Sequence, residues 1–251
     1  MELSDFIPVI VPYNAKEREI YTQILLDVGL KEPVVVEPFQ HVIQIGEKQY
    51  FKNEEIIREV ANTVGTKKSV IISGHHYPIA DCYNDKQVAL VTFDAHNDSY
   101  GDKDSLFNNC SGNGEFILRR KGKTYIIGTG VGTHNLEKIK TYPPKQKHKM
   151  MEARDADKIF LSLDIDVFDP SVTQAHHWPR TGLIDLIAKA LHIKRYMDFE
   201  SVMELTQHII KDRKVVGVNI AGYDPEFEEP PYKTAELLKQ YLSSVLKEIN
   251  K

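Results

Sequence analysis

The chain has 251 residues, of which 41% are hydrophobic and 27% are charged, and its formal net charge is -4 at pH 7. This is the composition of a globular protein with a sizeable core. The slight acidic excess excludes the strongly basic surfaces that bind nucleic acid or anionic membranes, so we expect neither as a partner.

Cysteine content and the N-terminal sequence indicate the compartment. Cys82 and Cys110 form no CxxC motif, so we expect no disulfide scaffold. The opening "MELSDFIPVIVPYNAK" lacks the basic start and long apolar core of a signal peptide, and no apolar run approaches the ~20 residues of a membrane helix. We therefore expect a cytoplasmic protein, folded as one domain over residues 1–251.

Apolar runs of strand length alternate with helical patterns along the chain. Strands are predicted at 6–13, 33–39, 68–76, 87–96, 123–131, 158–170 and 214–225, with a hairpin or meander at 41–51. Helices are predicted at 15–29, 53–65, 148–156, 183–192, 199–212 and 233–250. This alternation predicts an α/β fold in which helices cover both faces of a mainly parallel sheet. Ligands of such sheets bind at the carboxyl ends of the strands.

Ligand-capable side chains follow three of these apolar runs. In "VTFDAHNDSY", the residues Asp94, His96 and Asp98 alternate, so they would share one side of an extended segment. Asp164 and Asp166 of "SLDIDVFDP" alternate in the same way, and His76 ends "SGHH". Carboxylates this close repel one another unless a cation lies among them.

The combination of these motifs favours a metal site over separate structural roles. A single Asp after a strand is usually an N-cap or turn residue, and a single His is usually a packed or surface residue. Three such clusters in one chain are harder to explain in that way. Histidines with several carboxylates suit a pair of divalent ions, manganese first, with zinc, cobalt or iron as alternatives.

Several segments resemble the ureohydrolases, the superfamily of arginase, agmatinase and formimidoylglutamase. "FDAHND" and "SLDIDVFDPS" resemble their metal signatures, "SGHH" resembles their GGDH segment, and "GVNIAGYDPEFE" resembles their EVNP-like segment. The resemblance extends from about Glu54 to the C-terminus, whereas residues 1–50 have no counterpart.

The resemblance implies an arginase-like, three-layer α/β/α sandwich with a mainly parallel central sheet and two Mn²⁺ per chain. A metal-bridging hydroxide would attack a guanidino or amidino carbon of a small-molecule substrate. The implied ligands are His76, Asp94, His96, Asp98, Asp164 and Asp166. Asp98 would also orient the hydroxide. Relatives of this kind often form homo-oligomers.

The sequence departs from the family where substrate is bound. Gly222 stands where arginases and agmatinases carry a Glu that grips the guanidinium, and Asp224, Glu226 and Glu228 are the nearby acids that could replace it. The family's loop histidine is also absent from "NNCSGNGEFI". Glu115, His176 and His177 are alternative proton shuttles, with Glu115 the first choice. The remaining expected substrate contacts are Ser111, Asn113, His176, Arg180 and Asp224.

The resemblance, with these departures, implies a manganese-dependent hydrolase of C–N bonds in a small amidine, guanidino or formimino compound. One alternative is a deacetylase-like amidohydrolase. The other is a homologue that retains metal and binds a ligand without turnover.

Overall fold

A computed structural model describes residues 3–45, 48–51, 53–95, 117, 119–128, 139–142, 156–169, 172–173, 196–211 and 213–251. Its strands are β1 (Ile7–Val11), β2 (Val34–Val35), β3 (Val42–Ile45), β4 (Lys48–Phe51), β5 (Ser69–Ser73), β6 (Val88–Phe93), β7 (Thr124–Ile127), β8 (Ile139–Tyr142), β9 (Lys158–Asp164) and β10 (Lys214–Ala221). Its α-helices are α1 (Ala15–Asp27), α2 (Asn53–Val64), α3 (Phe199–Ile210) and α4 (Lys233–Ile249).

Eight of these strands form one sheet in the order β2-β1-β5-β10-β9-β6-β7-β8, and every neighbouring pair is parallel. Every residue of β5 and β6 is buried, as expected for parallel strands that are covered on both faces. The sequence separates the four central strands widely, but the sheet makes β5, β10, β9 and β6 neighbours. Their carboxyl ends therefore meet at one edge.

Helices cover both faces of the sheet. On one face α1, α3 and α4 contribute Tyr21, Leu205 and Tyr241 to the larger apolar cluster. On the other face α2 contributes Ile56 and Val60 to a second cluster. The result is the three-layer α/β/α arrangement with a parallel sheet. None of the helices in the described residues combines the length and the apolar character needed to cross a bilayer.

The sequence predicted most of these elements, and the differences have physical causes. The hairpin at 41–51 is confirmed as the antiparallel pair β3 and β4. The strand predicted at 33–39 contains only the two residues of β2, which pairs on one side alone at the sheet edge. The prediction missed β8, the opposite edge strand, because its four residues "IKTY" include an exposed Lys140. The helices predicted at 148–156 and 183–192 lie, apart from Ala156, outside the described residues.

Candidate metal centre

His76 lies in the turn that follows β5 and precedes a short 3-10 helix, Tyr77–Ile79. The residue is 1% exposed. Ser73 at the end of β5 pairs with Ala221 at the end of β10, so the loop that carries His76 lies beside the turn that begins at Gly222.

Two aspartates meet His76 from neighbouring strands. Asp94 directly follows β6, and its N–H donates to the Ile127 carbonyl of β7 at 2.8 Å, which fixes the backbone at this point. Asp164 is the last residue of β9. Both carboxylates are buried.

The His76 imidazole lies between these carboxylates. Its Nδ1 atom is 3.4 Å from Asp94 Oδ2 and 3.3 Å from Asp164 Oδ2. One ligand-capable atom from each residue lies within 4.8 Å of the other two. A single protonated imidazole neutralises only one of two carboxylates, so a group of this composition favours a further cation among its members.

This donor set fits a divalent cation. One imidazole nitrogen and two carboxylate oxygens suit manganese, iron, cobalt or zinc. Bonds of about 2.0–2.2 Å to nitrogen and oxygen place the ligands of one ion up to about 4.4 Å apart, so the three side chains need to move little to converge on one ion.

Asp166 lies close by but does not share a strand face with Asp164. β9 ends at Asp164, whose Oδ1 accepts a hydrogen bond from the Asp166 N–H at 2.9 Å and so caps a 3-10 turn, Ile165–Val167. The expectation of one extended segment was wrong here, because this local cap turns the chain. Asp166 is 3% exposed, and its Oδ1 accepts a hydrogen bond from the Ala95 N–H at 3.0 Å. It therefore holds the segment that leads from Asp94 to His96.

β6 likewise ends at Phe93, before the first residue of the acidic motif. His96 and Asp98 lie outside the described residues, as do the other expected catalytic and substrate residues Ser111, Asn113, Glu115, His176, His177 and Arg180.

The Gly222 backbone lies close to the Asp164 carboxylate, which is possible because glycine has no side chain. Its φ of +78° belongs to the left-handed region that favours glycine. A Cβ atom at this position would lie 2.5 Å from Asp164 Oδ1. The backbone of Gly222 therefore occupies the space beside the carboxylate, and the conformation rejects an acidic side chain here on both steric and torsional grounds.

The acids that follow Gly222 have local partners. Asp224 is buried, and its Oδ1 caps a 3-10 turn by accepting a hydrogen bond from the Glu226 N–H at 2.9 Å. Glu226 is exposed. Glu228 accepts hydrogen bonds from the Thr234 N–H at 2.8 Å and the Thr234 hydroxyl at 3.0 Å, in the first turn of α4.

The N-terminal segment contributes to the surroundings of His76, which was not predicted from the sequence. Glu17, in the first turn of α1, is fully buried, and its carboxylate lies against the loop that carries His76. The only signal was "NAKE", in which Asn14 and Glu17 have the spacing of a helix-capping box. That signal predicts a helix start and carries no information on long-range contacts.

Comparison with known proteins shows likeness in structure. No protein-family model matches the sequence, and no curated protein matches it. An agmatine ureohydrolase of Thermoplasma volcanium matches with a TM-score of 0.68 at 16% identity, over 99% of this chain and 90% of its own. An arginase of Entamoeba histolytica, solved with L-ornithine, matches with a TM-score of 0.65 at 16% identity, over 97% of this chain and 99% of its own.

A formimidoylglutamase from Bacillus subtilis also matches, with a TM-score of 0.67 at 15% identity, over 98% of this chain and 87% of its own. The chain therefore has the arginase-like fold that these ureohydrolase structures share, which confirms the fold expected from its motifs.

We predict that Gly222→Ala weakens the binding of Mn²⁺ at least about tenfold, because the new methyl group displaces the Asp164 carboxylate. Isothermal titration calorimetry on the folded variant measures the affinity. Gly29→Ala is the matched control, since Gly29 also has a positive φ of 84° but its Cβ would meet only Leu3. Both variants should lose stability by about 1–2 kcal/mol from backbone strain, and only Gly222→Ala should lose affinity. Equal affinity in the two variants would contradict this account of Gly222.

Proposed function

We propose that this chain, which has the fold of solved agmatinases, arginases and a formimidoylglutamase, is a metal-dependent hydrolase of C–N bonds in a small amidine, guanidino or formimino compound. The observation that supports the proposal most strongly is the buried group of His76, Asp94 and Asp164 at the carboxyl edge of the sheet. This is where ligands of open α/β sheets bind.

In this proposal, His76, Asp94 and Asp164 hold divalent metal, and His96, Asp98 and Asp166 complete a site for two Mn²⁺. A bound pair of divalent ions supplies hydroxide at neutral pH, by lowering the pKa of water, and offsets negative charge in the transition state. The second ion is supported by the sequence, because His96 and Asp98 follow the buried Asp94 by two and four residues and offer further ligand atoms.

The chain's own residues have distinct roles in the proposed reaction. Burial of His76 and Asp94 keeps water from screening the charges. Asp166 accepts the Ala95 N–H and so fixes the backbone directly after Asp94. Asp98 would orient the hydroxide that attacks the substrate carbon, and Glu115 would deliver a proton to the leaving nitrogen.

The substrate class follows from Gly222. An unpaired guanidinium in a buried site is costly, and the metal ions add positive charge beside it. Gly222 provides no carboxylate, Glu226 is exposed and Glu228 binds Thr234. Asp224 is buried, and its carboxylate is engaged by the Glu226 N–H. We therefore propose that the preferred substrate is a less strongly cationic amidine or formimino compound, in contact with Ser111, Asn113, His176, Arg180 and Asp224.

The metal proposal predicts about two Mn²⁺ per chain after loading and removal of free ion, as measured by elemental analysis. Asp164→Asn should weaken binding at least about tenfold and abolish turnover, because it removes one charged ligand oxygen from the group. Asp157→Asn is the control, since Asp157 is exposed and precedes β9 at its opposite end. Circular dichroism checks that each variant is folded. Folded wild-type protein with a stoichiometry near zero would overturn the proposal.

The substrate proposal predicts that Mn²⁺-loaded protein hydrolyses a formimino amino acid or a simple amidine at least about tenfold more efficiently, in kcat/KM, than arginine or agmatine. Release of formamide measures the rate on the formimino compound, release of ammonia that on the amidine, and release of urea that on arginine and agmatine. An acetylated amine in the same panel, followed by release of acetate, tests for amidohydrolase activity.

Two results would contradict the substrate proposal. Efficient hydrolysis of arginine or agmatine that is lost in Asp224→Asn would mean that Asp224 supplies the missing carboxylate. Preference for the acetylated amine would assign the chain to the deacetylase-like class.

A further inference from the structure

Glu17 is a fully buried carboxylate in the first turn of α1. Its Oε2 accepts a hydrogen bond from the Tyr13 N–H at 2.7 Å, and its Oε1 accepts one from Asn14 Nδ2 at 3.1 Å. In return, Asn14 Oδ1 accepts a hydrogen bond from the Glu17 N–H at 2.7 Å. A capping residue of this kind usually keeps its carboxylate in water, and burial of an ion costs several kcal/mol. Helix capping alone therefore does not account for the burial.

The carboxylate of Glu17 packs against the loop that follows β5. A Cβ atom on Gly74 would lie 3.3 Å from Glu17 Oε2 and 3.4 Å from Glu17 Oε1. The same atom would lie 3.1 Å from Tyr13 Cδ2. A methyl group here would press on both side chains more closely than ordinary van der Waals contact, and His76 follows two residues later in the chain.

Aromatic contacts also hold the part of the loop that follows Gly74. The His75 ring meets the Tyr13 ring edge-on with 4.5 Å between centroids and stacks on the Tyr77 ring at 5.7 Å. The hydroxyl groups of Tyr13 and Tyr77 are hydrogen-bonded to each other. Since Glu17 fixes the Tyr13 backbone, it fixes the surface against which residues 74–77 pack.

One turn further along α1, Tyr21 holds the second loop beside the metal centre. Its hydroxyl donates a hydrogen bond to the carbonyl oxygen of Tyr223, the residue after Gly222. Burial raises the pKa of the Tyr21 hydroxyl, and the nearby charges of Glu17 and Asp224 raise it further, so the group remains a donor. Helix α1 thus supports both the loop that carries His76 and the turn whose backbone lies against Asp164.

We infer that Glu17 is a positioning residue of the metal centre, which orients the His76 loop so that the imidazole faces Asp94 and Asp164. The inference rests on the proposed function, because it assumes that this group binds metal. Residues that orient metal ligands typically affect metal affinity by about 10-fold to 100-fold.

The test compares Glu17→Gln with Glu19→Gln, an exposed position on the same helix. Glutamine keeps the size of Glu17 but places an N–H donor opposite one of two existing donors, Tyr13 N–H or Asn14 Nδ2. We expect Glu17→Gln to weaken Mn²⁺ binding about 10-fold to 100-fold in calorimetry below the melting temperature. We expect Glu19→Gln to match the wild type.

Three other results would overturn the inference about Glu17. A lower melting temperature in Glu17→Gln with an unchanged Mn²⁺ dissociation constant would overturn the inference and leave the proposed function intact. If Glu17→Gln does not fold, Gly74→Ala disturbs the same contact from the loop side, and wild-type Mn²⁺ affinity in that variant would overturn the inference. Wild-type protein that binds no Mn²⁺ would overturn the proposed function, and the inference with it.

Discussion

Two buried carboxylates that face one imidazole impose the constraint on which the rest of this structure depends. Carboxylate oxygens of Asp94 and Asp164 lie 3.4 Å and 3.3 Å from the His76 Nδ1 atom, and all three residues are buried. Such a group is costly without a balancing cation. The strand order β5-β10-β9-β6 creates it, because β6 and β5 flank the pair β9 and β10 at the carboxyl edge. A divalent ion is the simplest partner for this charge.

Two glycines near this group allow the backbone to approach other residues more closely than a residue with a side chain would. Gly222 presents its backbone to Asp164, and Gly74 lets Glu17 and Tyr13 approach the loop before His76. Both glycines follow paired ends of neighbouring strands, Ala221 and Ser73. The backbone is therefore closely packed beside Asp164 and in the loop before His76. At Gly222 there is also no carboxylate that could pair with a cationic substrate. This combination favours metal-dependent chemistry on a less cationic substrate.

Much of the fold and part of the candidate site were predictable from the sequence. Near-continuous apolar strands alternating with helices predicted the parallel sheet, and polar residues after "VIIS", "VTF" and "FLSL" predicted which edge carries His76, Asp94 and Asp164. Strand termination was not predictable from alternation. Asp164 caps a turn through the Asp166 N–H, so the two aspartates leave the strand geometry that their spacing suggested.

The role of the N-terminal segment depends on contacts that no local pattern encodes. "NAKE" predicts a helix start, but the approach of Glu17 to Gly74 follows only from the pairing of β1 with β5. The left-handed backbone of Gly222 was equally hidden, because a glycine is compatible with either sign of φ. Sequence motifs thus identified side chains that are capable of binding metal, and the tertiary structure shows how three of them are brought together.

Anomalous diffraction at the manganese edge, from crystals grown with Mn²⁺, tests the central claim most directly. The account predicts a peak within about 2.2 Å of ligand atoms from His76, Asp94 and Asp164. A structure in which these side chains keep their positions while the space between them holds no anomalous peak at saturating Mn²⁺ would contradict it.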